Sequence, residues 1–357
     1  MSIKLKELIT LKYGKRQIDV EDENGTIPIY GTGGVFGKAN VSLYSKPSIL
    51  LGRKGTIDKP FWVDHPFWCV DTMFYSIIDD TKVVPRYLFY NLLNIDFSKY
   101  NEGTTIPSLR IETLNNIDIS LHSNDEQHYI VDILGTLDEK IENNTSIINK
   151  ISSLIELEYS KHFRDCDFTE EPLSNVFSFQ EGPGIRNWQY VDDGIRFINI
   201  RCINNGDIDV STMNKISENE AFGIYKHFLL KEWDLVISMS GTLGRYAIVR
   251  KEHLPLCLNT SVIRFYPKIS FSYYSFMYAY LTSKDFILSL GTLANGSAQQ
   301  NVGPTHLKKI VIKMPPITDL ESFHKKVFPL IEQMLCLRKD NQKINELKQL
   351  YLQKFFG

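Results

Sequence analysis

Residues 125–163 decide the fold, and they read DEQHYIVDILGTLDEKIENNTSIINKISSLIELEYSKHF. Apolar side chains recur here at steps of three and four residues, the spacing of a helix with one apolar seam. Asn144 takes the seam position from which a hydrophobe is missing. Such a helix would be roughly 60 Å long at 1.5 Å per residue, and it cannot bury its seam alone. The seam consists of Ile130, Leu134, Leu137, Ile141, Ile148, Ile151 and Ile155.

A second stretch near the other end of the chain repeats the first after a shift of 193 residues, without a gap. The match begins before the helix, where Gly103 aligns with Gly296, and it continues until Phe163 aligns with Phe356. We therefore interpret the chain as one unit used twice, each a globular part followed by a long helix, and we expect the two helices to pack together. The second seam consists of Phe323, Val327, Leu330, Met334, Leu337, Ile344 and Tyr351.

Two residues of the second helix depart from this pattern. Pro329 lacks the backbone N–H that a helix interior requires, so it should kink or interrupt the helix. Because proline is acceptable in a first turn, the C-terminal helix should begin properly near Pro329. The position that carries Asp138 in the first repeat carries Ile331 in the second.

The composition is that of a globular protein, since 43% of the 357 residues are hydrophobic and 23% are charged. The length suffices for two domains of ordinary size. The formal charge of −2 conceals an asymmetry, because residues 1–60 carry ten Lys or Arg against six acidic residues. Residues 125–165 carry nine acidic residues against four basic ones. This contrast suggests different partners for the globular part and the helix, although charged helix faces are common in any protein.

The cysteines and the apolar runs exclude several classes of protein. The five cysteines show no paired spacing, so we predict neither a disulfide framework nor a metal site. No apolar run approaches the roughly 18–20 residues of a membrane span, and the N-terminus lacks a secretory apolar core. We expect no membrane association and a cytoplasmic location.

Motifs that would indicate catalysis do not appear in the sequence. A dinucleotide-binding loop that begins at Gly31 and Gly33 would need its third glycine where Phe36 stands. Neither G-x-S-x-G nor H-E-x-x-H is present. An adenine methyltransferase requires an Asn/Asp-Pro-Pro-aromatic segment to hold the flipped base, and the nearest string, MPPI at 314–317, lacks both the amide and the aromatic. We therefore predict a protein that is not an enzyme.

Glycine-bracketed loops that carry Arg, Lys, Ser, Thr and Gln recur in both halves, and they indicate recognition of nucleic acid. Glycine lets a backbone approach a partner closely. Arg and Lys suit guanine edges and phosphates, and Gln suits adenine. The alternative, that these are ordinary solvated loops, stays open for each residue. The candidates for DNA contact are Lys38, Arg53, Lys54, Thr56 and Lys59 in the first half, and Arg186, Arg201, Ser240, Thr242, Arg245, Gln299 and Gln300 in the second.

With these features the chain resembles the specificity subunit of type I restriction–modification enzymes over essentially its whole length. The resemblance is carried by PIYGTGG at 28–34, by GTLGR at 241–245, by the seam of the first helix and by the duplicated order. It implies a mixed α/β fold of two repeated target recognition domains, joined by two long helices that form an antiparallel coiled coil with pseudo-twofold symmetry. The implied boundaries are recognition domains at 1–123 and 164–316, followed by conserved spacer helices at 124–163 and 317–357.

The resemblance also implies a function and a set of partners. Each domain would read one half of a bipartite target in double-stranded DNA, and the chain would dock two methyltransferase (M) subunits and assemble with restriction (R) subunits. S-adenosylmethionine, ATP and Mg would be bound by those partners and none of them by this chain. Two alternatives stay open: a coiled-coil scaffold that does not bind DNA, and a methyltransferase or nuclease with degenerate motifs.

Lengthening both helices by one heptad should change the number of unread bases between the two halves of the target. The reason is that a stiff helical pair would set the separation of the two readers. Mapping the sites that the variant complex methylates measures this spacer. A spacer of unchanged length would contradict the measuring role that we assign to the helices.

Overall fold

The computed structural model describes residues 2–204, 206–294 and 301–357, so the predicted contacts of Gln299 and Gln300 lie outside the described residues. The chain divides into two compact units. The first unit comprises Met1–Glu142 together with Asn341–Gly357, and the second unit comprises Asn143–Asp340. Each unit therefore contains a globular part and segments of both long helices, whereas the sequence-based boundaries assign each helix to a segment of its own.

The described residues form the following strands and α-helices in chain order. The elements up to the first long helix are β1 (Ser2–Lys4), β2 (Ile9–Tyr13), β3 (Ile27–Gly31), β4 (Gly34–Ala39), β5 (Ser48–Gly52), β6 (Phe61–Val63), β7 (Trp68–Cys69), β8 (Met73–Ile78), α1 (Pro85–Leu93), α2 (Ile111–Asn115), β9 (Asp118–Ser120) and α3 (Asn124–His162). The elements that follow are β10 (Thr169–Pro172), α4 (Leu173–Val176), β11 (Phe177–Glu181), β12 (Tyr190–Val191), β13 (Ile195–Phe197), β14 (Ile203–Asn204), β15 (Asp207–Ile208), β16 (Asn214–Ile216), α5 (Glu218–Phe222), β17 (Leu235–Ser238), β18 (Tyr246–Ile248), β19 (Leu256–Cys257), β20 (Val262–Pro267), α6 (Tyr274–Leu281), α7 (Lys284–Ala294), α8 (Pro304–Leu307), β21 (Val311–Met314) and α9 (Ile317–Phe356). Short 3-10 helices include Leu5–Glu7, Phe97–Tyr100, Asn187–Gln189, Ile200–Cys202, Lys226–Phe228, Lys251–His253 and Phe271–Tyr273.

The two units share one strand topology. The larger sheet is antiparallel, with the order β2-β8-β5-β6 in the first unit and β11-β20-β17-β18 in the second. The smaller sheet has the order β4-β3-β7 in the first unit and β12-β16-β13-β19 in the second, with a parallel pair, β3–β7 or β13–β19, in each. An antiparallel pair, β1–β9 or β10–β21, precedes each long helix. This order confirms the prediction of one α/β unit used twice, and β12, β14, β15, α5 and α7 are additions of the second unit.

β5 and β17 are buried on both faces, and each separates two hydrophobic cores. In β5, Ile49 and Leu51 face a core that α1 and α3 share, while Leu50 faces the core of the smaller sheet. β17 alternates in the same way between its two cores. Because successive side chains of a strand point to opposite faces, an unbroken apolar run such as SILLG fits a strand that is covered on both sides.

In the first unit, the N-terminal part of α3 packs antiparallel to the C-terminal part of α9. The ring centroids of Tyr129 and Phe355 are 6.4 Å apart. Further along α3, Asp138 pairs with Lys348. Residue numbers therefore rise along one helix as they fall along the other.

The second unit pairs the remaining segments of the same helices, also antiparallel. Ser152 Oγ lies 3.6 Å from Met334 Sδ. The ring centroids of Tyr159 and Phe323 are 6.2 Å apart. Within each unit, the antiparallel helix packing that the sequence predicts is confirmed.

The predicted seam residues differ in burial, and the second helix also buries side chains that lie outside its seam. The structure buries Ile130, Leu134, Ile148, Ile151, Val327 and Met334. It leaves Leu137, Ile141, Leu330, Leu337 and Ile344 partly exposed. Ile331, Leu335 and Leu352 of α9 are buried although the seam pattern omits them. In the second unit α9 packs on the same core as α6, so its apolar stripe is wider than a coiled-coil seam.

Pro329 does not interrupt the second helix, and the expected helix start near this residue is wrong. α9 is continuous over Ile317–Phe356. Pro329 lies on the exposed side of the helix, where water can hydrate the carbonyl of Lys325 that a proline at 329 cannot bond. Val327 and Ile331 are fully buried and hold the helix against the core on either side of the proline.

A half-buried polar cluster joins the helix pair of the first unit to α1. Asp138 pairs with Lys348, and its Oδ2 accepts a hydrogen bond from the Tyr90 hydroxyl at 2.8 Å. Arg86 Nε donates to that hydroxyl at 3.1 Å. Burial, and then the Asp138 carboxylate, raise the pKa of Tyr90, so the hydroxyl stays a donor. The second repeat has Ile331 in place of Asp138, and its core at that point is apolar.

The substitution Asp138→Ala should lower the free energy of unfolding of the chain by about 3 kcal/mol, because Lys348 and Arg86 would remain charged in a largely shielded cluster. Urea unfolding followed by circular dichroism measures the loss. The matched control is Asp118→Ala, which removes the partner of Lys4 from an exposed ion pair of the same unit and should have a much smaller effect. Equal losses in the two variants would contradict a special role of the shielded cluster.

Candidate nucleic-acid interface

Three loops of the first unit meet at Gly55, which has a φ of +96° that favours glycine. The Gly55 amide donates to the carbonyl oxygen of Pro107 at 2.9 Å. Thr32 Oγ1 lies 3.5 Å from the point that a Cβ of residue 55 would occupy. The loop after β5 is therefore packed against the β3–β4 turn and against the segment before α2, and it exposes Lys54 and Thr56.

Arg53 is partly buried and is engaged within the first unit. Its Nη1 donates to the carbonyl oxygen of Asp71 at 2.9 Å, and its guanidinium lies 5.2 Å from the ring centre of Tyr13. These contacts tie the loop after β5 to the segment before β8. The exposed Lys38 lies on β4, and the exposed Lys59 precedes β6.

A glycine directly after the first strand of the larger sheet lets two segments cross closely in each unit. A Cβ on Gly14 would lie 2.0 Å from the carbonyl oxygen of Val70. A Cβ on Gly182 would lie 2.4 Å from the carbonyl oxygen of Leu258. Both distances are far shorter than a van der Waals contact, so these crossing points require glycine. Sequence reasoning missed both residues, and the available signal was a glycine at the end of an apolar strand.

In the second unit the loop after β17 folds around Ser238. The Ser238 hydroxyl donates to the carbonyl oxygen of Thr242 at 2.6 Å and accepts from the Arg245 amide at 2.9 Å. Gly241 and Gly244 have φ values of +65° and +80°, a backbone conformation that favours glycine. The predicted residues Thr242 and Arg245 therefore belong to one ordered loop.

Ser240 and Arg245 connect this loop to other segments of the second unit, whereas Arg186 lies on a separate segment. Ser240 forms a backbone bridge with Asn301. Arg245 Nη1 lies 3.4 Å from Asn204 Oδ1, a residue of the added hairpin that sequence reasoning did not single out. Arg186 is exposed and precedes the short 3-10 helix Asn187–Gln189.

The apolar run IRFINI at 195–200 is typical of a single strand, but β13 ends at Phe197. The Asn199 side chain accepts a hydrogen bond from the Arg201 amide at 3.1 Å and begins a 3-10 turn instead. Arg201 therefore lies on this turn, and its guanidinium donates to Asn214 Oδ1 at 2.9 Å. Arg201 is thus held against β16.

An ion cluster anchors the hairpin that carries Asn204. Arg250 Nη1 lies 2.6 Å from Asp207 Oδ1, and its Nε lies 2.7 Å from Glu252 Oε1. His253 is buried beside them, and its Nδ1 accepts from the Arg250 amide at 3.1 Å. The imidazole proton therefore sits on Nε2, which faces Asp207 Oδ1 at 3.5 Å. Burial, and then the charge of Arg250, lower the pKa of His253 to about 4.

The chemistry of both loop clusters is that of recognition, since they offer ammonium, guanidinium, hydroxyl and backbone donors. Across residues 2–204, 206–294 and 301–357, no group of three or more His, Cys, Asp or Glu side chains is placed to hold a metal ion. In this same part of the chain, no helix has both the length and the apolar character needed to cross a membrane.

Comparisons with known proteins match most of this chain. Residues 1–153 and 194–349 each match the family model of the type I restriction modification DNA specificity domain. The chain is 22% identical over 346 residues to the type I restriction enzyme EcoBI specificity subunit of Escherichia coli. This alignment covers 86% of this chain and 72% of that relative. It is 24% identical over 298 residues to the MjaVIII specificity subunit of Methanocaldococcus jannaschii, with 77% and 68% covered. The crystal structure of a type I restriction–modification S subunit from M. genitalium has a similar fold, with a TM-score of 0.60, 19% identity, and coverage of 100% of this chain and 96% of that one.

The duplicated α/β fold and these matches define a DNA-recognition subunit rather than an enzyme. The chain belongs to the type I restriction–modification DNA specificity family and contains two of its domains. The predicted fold and the predicted class are thereby confirmed. The DNA contacts of individual loop residues stay predictions.

Acid should destabilise the second unit through His253. The unfolded chain protonates this imidazole near the ordinary pKa of about 6.5, whereas the folded chain protonates it near 4. The unfolded state binds more protons between these values, so stability falls as the pH drops from about 6.5 to about 4, by at most about 3 kcal/mol. Urea unfolding as a function of pH measures the effect, and His253→Gln should flatten the profile in this window. Parallel profiles of the variant and the wild type would contradict this assignment.

Proposed function

We propose that each unit reads one half of a bipartite sequence in double-stranded DNA through its own loop cluster. The observation that carries the proposal is the repetition of one device on two different loops. β5 and β17 occupy the same place in their sheets, and each is followed by a positive-φ glycine, Gly55 or Gly241, with a threonine directly after it. A constant scaffold with different loop side chains suits two readers that prefer different bases.

The loop residues divide by the chemistry of their side chains into two proposed roles. Exposed lysines suit phosphate contacts, which position a protein on the duplex, and exposed hydroxyl, amide and guanidinium groups suit base edges. Arg53 and Arg201 already bond carbonyl or amide oxygens of their own units, so we assign them the additional role of holding their loops. The proposed contact residues are Lys38, Arg53, Lys54, Thr56, Lys59, Arg186, Arg201, Ser240, Thr242, Arg245, Gln299 and Gln300.

Two readers on one chain bind more tightly than either alone. Once one half of the target is bound, the other reader is held at a high effective concentration near the second half. Each half-site contact can therefore be modest while the whole target is selected against DNA that carries one half only.

As a subunit of a type I restriction–modification system, the chain works in an assembly with modification and restriction subunits and DNA. We further propose that two methyltransferase subunits bind this chain. Leu154 and Leu157 of the second unit are 41% and 61% exposed, and they lie three residues apart on one helix face. A shift of 193 residues brings them onto Leu347 and Leu350 of the first unit, which are 42% and 63% exposed.

An apolar pair that recurs at the same repeat position with the same exposure fits one partner surface used twice. S-adenosylmethionine, ATP and Mg would then be bound by the partner subunits, which would carry the chemistry. We place the complex in the cytoplasm, together with its DNA.

The substitutions Gly14→Ala and Gly182→Ala should each weaken reading of one half of the target and leave the other half unchanged. The added methyl group would overlap the carbonyl oxygen of Val70 or Leu258 and displace the segment that carries it. We expect a cost of roughly 1–2 kcal/mol, or about tenfold in the discrimination between DNA sequences. Binding of the reconstituted complex to DNA libraries with one half randomised measures each reader. The matched controls are Gly33→Ala and Gly184→Ala, where an added Cβ meets no atom within 4 Å. Loss of both halves in a single variant would argue against independent readers.

Replacing Leu154 and Leu157 by serine should remove one methyltransferase subunit from the complex, and replacing Leu347 and Leu350 should remove the other. Mass photometry of the purified complex measures the number of bound subunits. The matched control is Ile147→Ser, because this residue is also exposed but its repeat counterpart is Asp340. Retention of both subunits in both double variants would refute the proposed docking sites.

A further inference from the structure

The hairpin formed by β3 and β4 in the first unit contains a β-bulge at Phe36. Tyr30 pairs with Val35, whereas the preceding residue, Ile29, pairs with Gly37. Phe36 is therefore the extra residue that has no partner across the hairpin. A bulge of this kind bends the strand and redirects a side chain, and bulges are frequent next to functional sites.

The redirected residue and its neighbour are apolar and face water. Val35 is 57% exposed and Phe36 is 54% exposed, although both lie in a sheet strand. The Phe36 ring is nevertheless fixed on one side, because its nearest carbons lie 3.2 Å from the point that a Cβ of Gly31 would occupy. Glycine at 31 thus makes room for the Phe36 ring, the other side of which is exposed.

Val35 and Phe36 form an apolar tip, which lies beside the proposed DNA-reading loops and their lysines. The turn that joins β3 to β4 contains Thr32, which packs at Gly55 in the loop that exposes Lys54. On the other side, Phe61 lies 4.0 Å from the Cβ point of Gly34, and the Lys59 ammonium lies 5.6 Å from the centre of the Phe61 ring.

Charged side chains of both signs lie around the hairpin. Lys38 is exposed two residues beyond Phe36 on the same strand. The Glu21 carboxylate lies directly after the bulge, where its Oε1 is 3.1 Å from the Cβ point of Gly37. Val35 and Phe36 therefore form an apolar surface on a hairpin that carries Lys38 and lies beside the segments that carry Lys54 and Lys59. That distribution favours a polyanion with apolar faces in its interior, which describes stacked DNA.

We propose that Val35 and Phe36 form an apolar wedge that enters the DNA at one base step of the half-site read by the first unit. This inference rests on the proposed DNA-reading function. Side chains of this type partly unstack a base step and kink the duplex, and the cost of a few kcal/mol is offset by contacts that the bent DNA makes. The wedge selects sequences whose base step opens easily, so it adds specificity without a hydrogen bond to a base.

The test uses the specificity subunit reconstituted with its methyltransferase partner and DNA that carries 2-aminopurine. The probe is placed in turn at each position of the half-site that Gly14→Ala affects, except at the methylated adenine, which the methyltransferase extrudes itself. Wild-type complex should raise the probe fluorescence at one step. Phe36→Ala should abolish this rise and weaken binding of the cognate target roughly 10–100-fold, as expected for loss of one stacking contact.

Phosphate contacts do not change in this variant, so the slope of log affinity against log salt should stay that of the wild type. Phe36→Leu, which keeps an apolar wedge, should retain most of the fluorescence rise. The matched control is Val41→Ala, which shortens an exposed apolar side chain just beyond β4 and should change neither fluorescence nor affinity.

Several outcomes would overturn the wedge. The first is a wild-type complex that leaves the fluorescence of every probe unchanged. The second is a Phe36→Ala complex with the same fluorescence rise as the wild type. The third is a Phe36→Ala specificity subunit that is folded but fails to assemble with the methyltransferase. The last result would make the tip a protein-docking surface instead. Failure of the proposed function is separately visible, because the wild-type complex would then show no preference for any DNA sequence.

Discussion

Neither long helix can bury its apolar stripe without the other, and this constraint shapes both units. The first core is closed by Leu352, which lies near the end of the chain and packs in the same cluster as Ile130 and Leu134 of α3. The second core takes Ile148 and Ile151 from α3 together with the N-terminal part of α9. Each unit is therefore built from segments that lie far apart in the sequence, although its sheets are made from continuous stretches.

At equivalent positions, the interior of one unit contains an ion pair where the interior of the other contains an apolar side chain. Where the first repeat has Asp138 in a cluster with Lys348, the second has the fully buried Ile331. The second unit has its ion cluster elsewhere, at Arg250 and Asp207, where it anchors a hairpin that the first unit lacks. The scaffold therefore tolerates both apolar and ionic solutions, provided that each buried charge has a partner.

The long-period features of the fold could be predicted from the sequence. A seam that persists over many helical turns, and a strand such as β5 with an unbroken apolar run, leave few alternatives. Local exceptions could not be predicted in the same way. The helix through Pro329 depends on which side of α9 faces water, and the turn at Asn199 depends on one side-chain hydrogen bond.

The candidate site shows a similar division between pattern and geometry. Residue types in the loops were readable, since Arg245 and Thr242 lie in one ordered loop and Lys54 lies beside Gly55. The crossings at Gly14 and Gly182 could not be predicted, because each brings together two segments that are far apart in sequence. The separation is about 56 residues at Gly14 and about 76 residues at Gly182. The bulge at Phe36 is likewise a property of strand register and not of composition.

The final turns of α9 determine the order in which the two units can fold during synthesis. The Asn94 side chain donates to the carbonyl oxygen of Phe356 at 2.9 Å, so the first unit includes residues that are synthesised after the whole of the second unit. All segments of the second unit precede residue 341, so that unit can close on the nascent chain while the first still lacks its last helix. Domains usually fold in the order of synthesis; here the N-terminal unit is completed after the one that follows it.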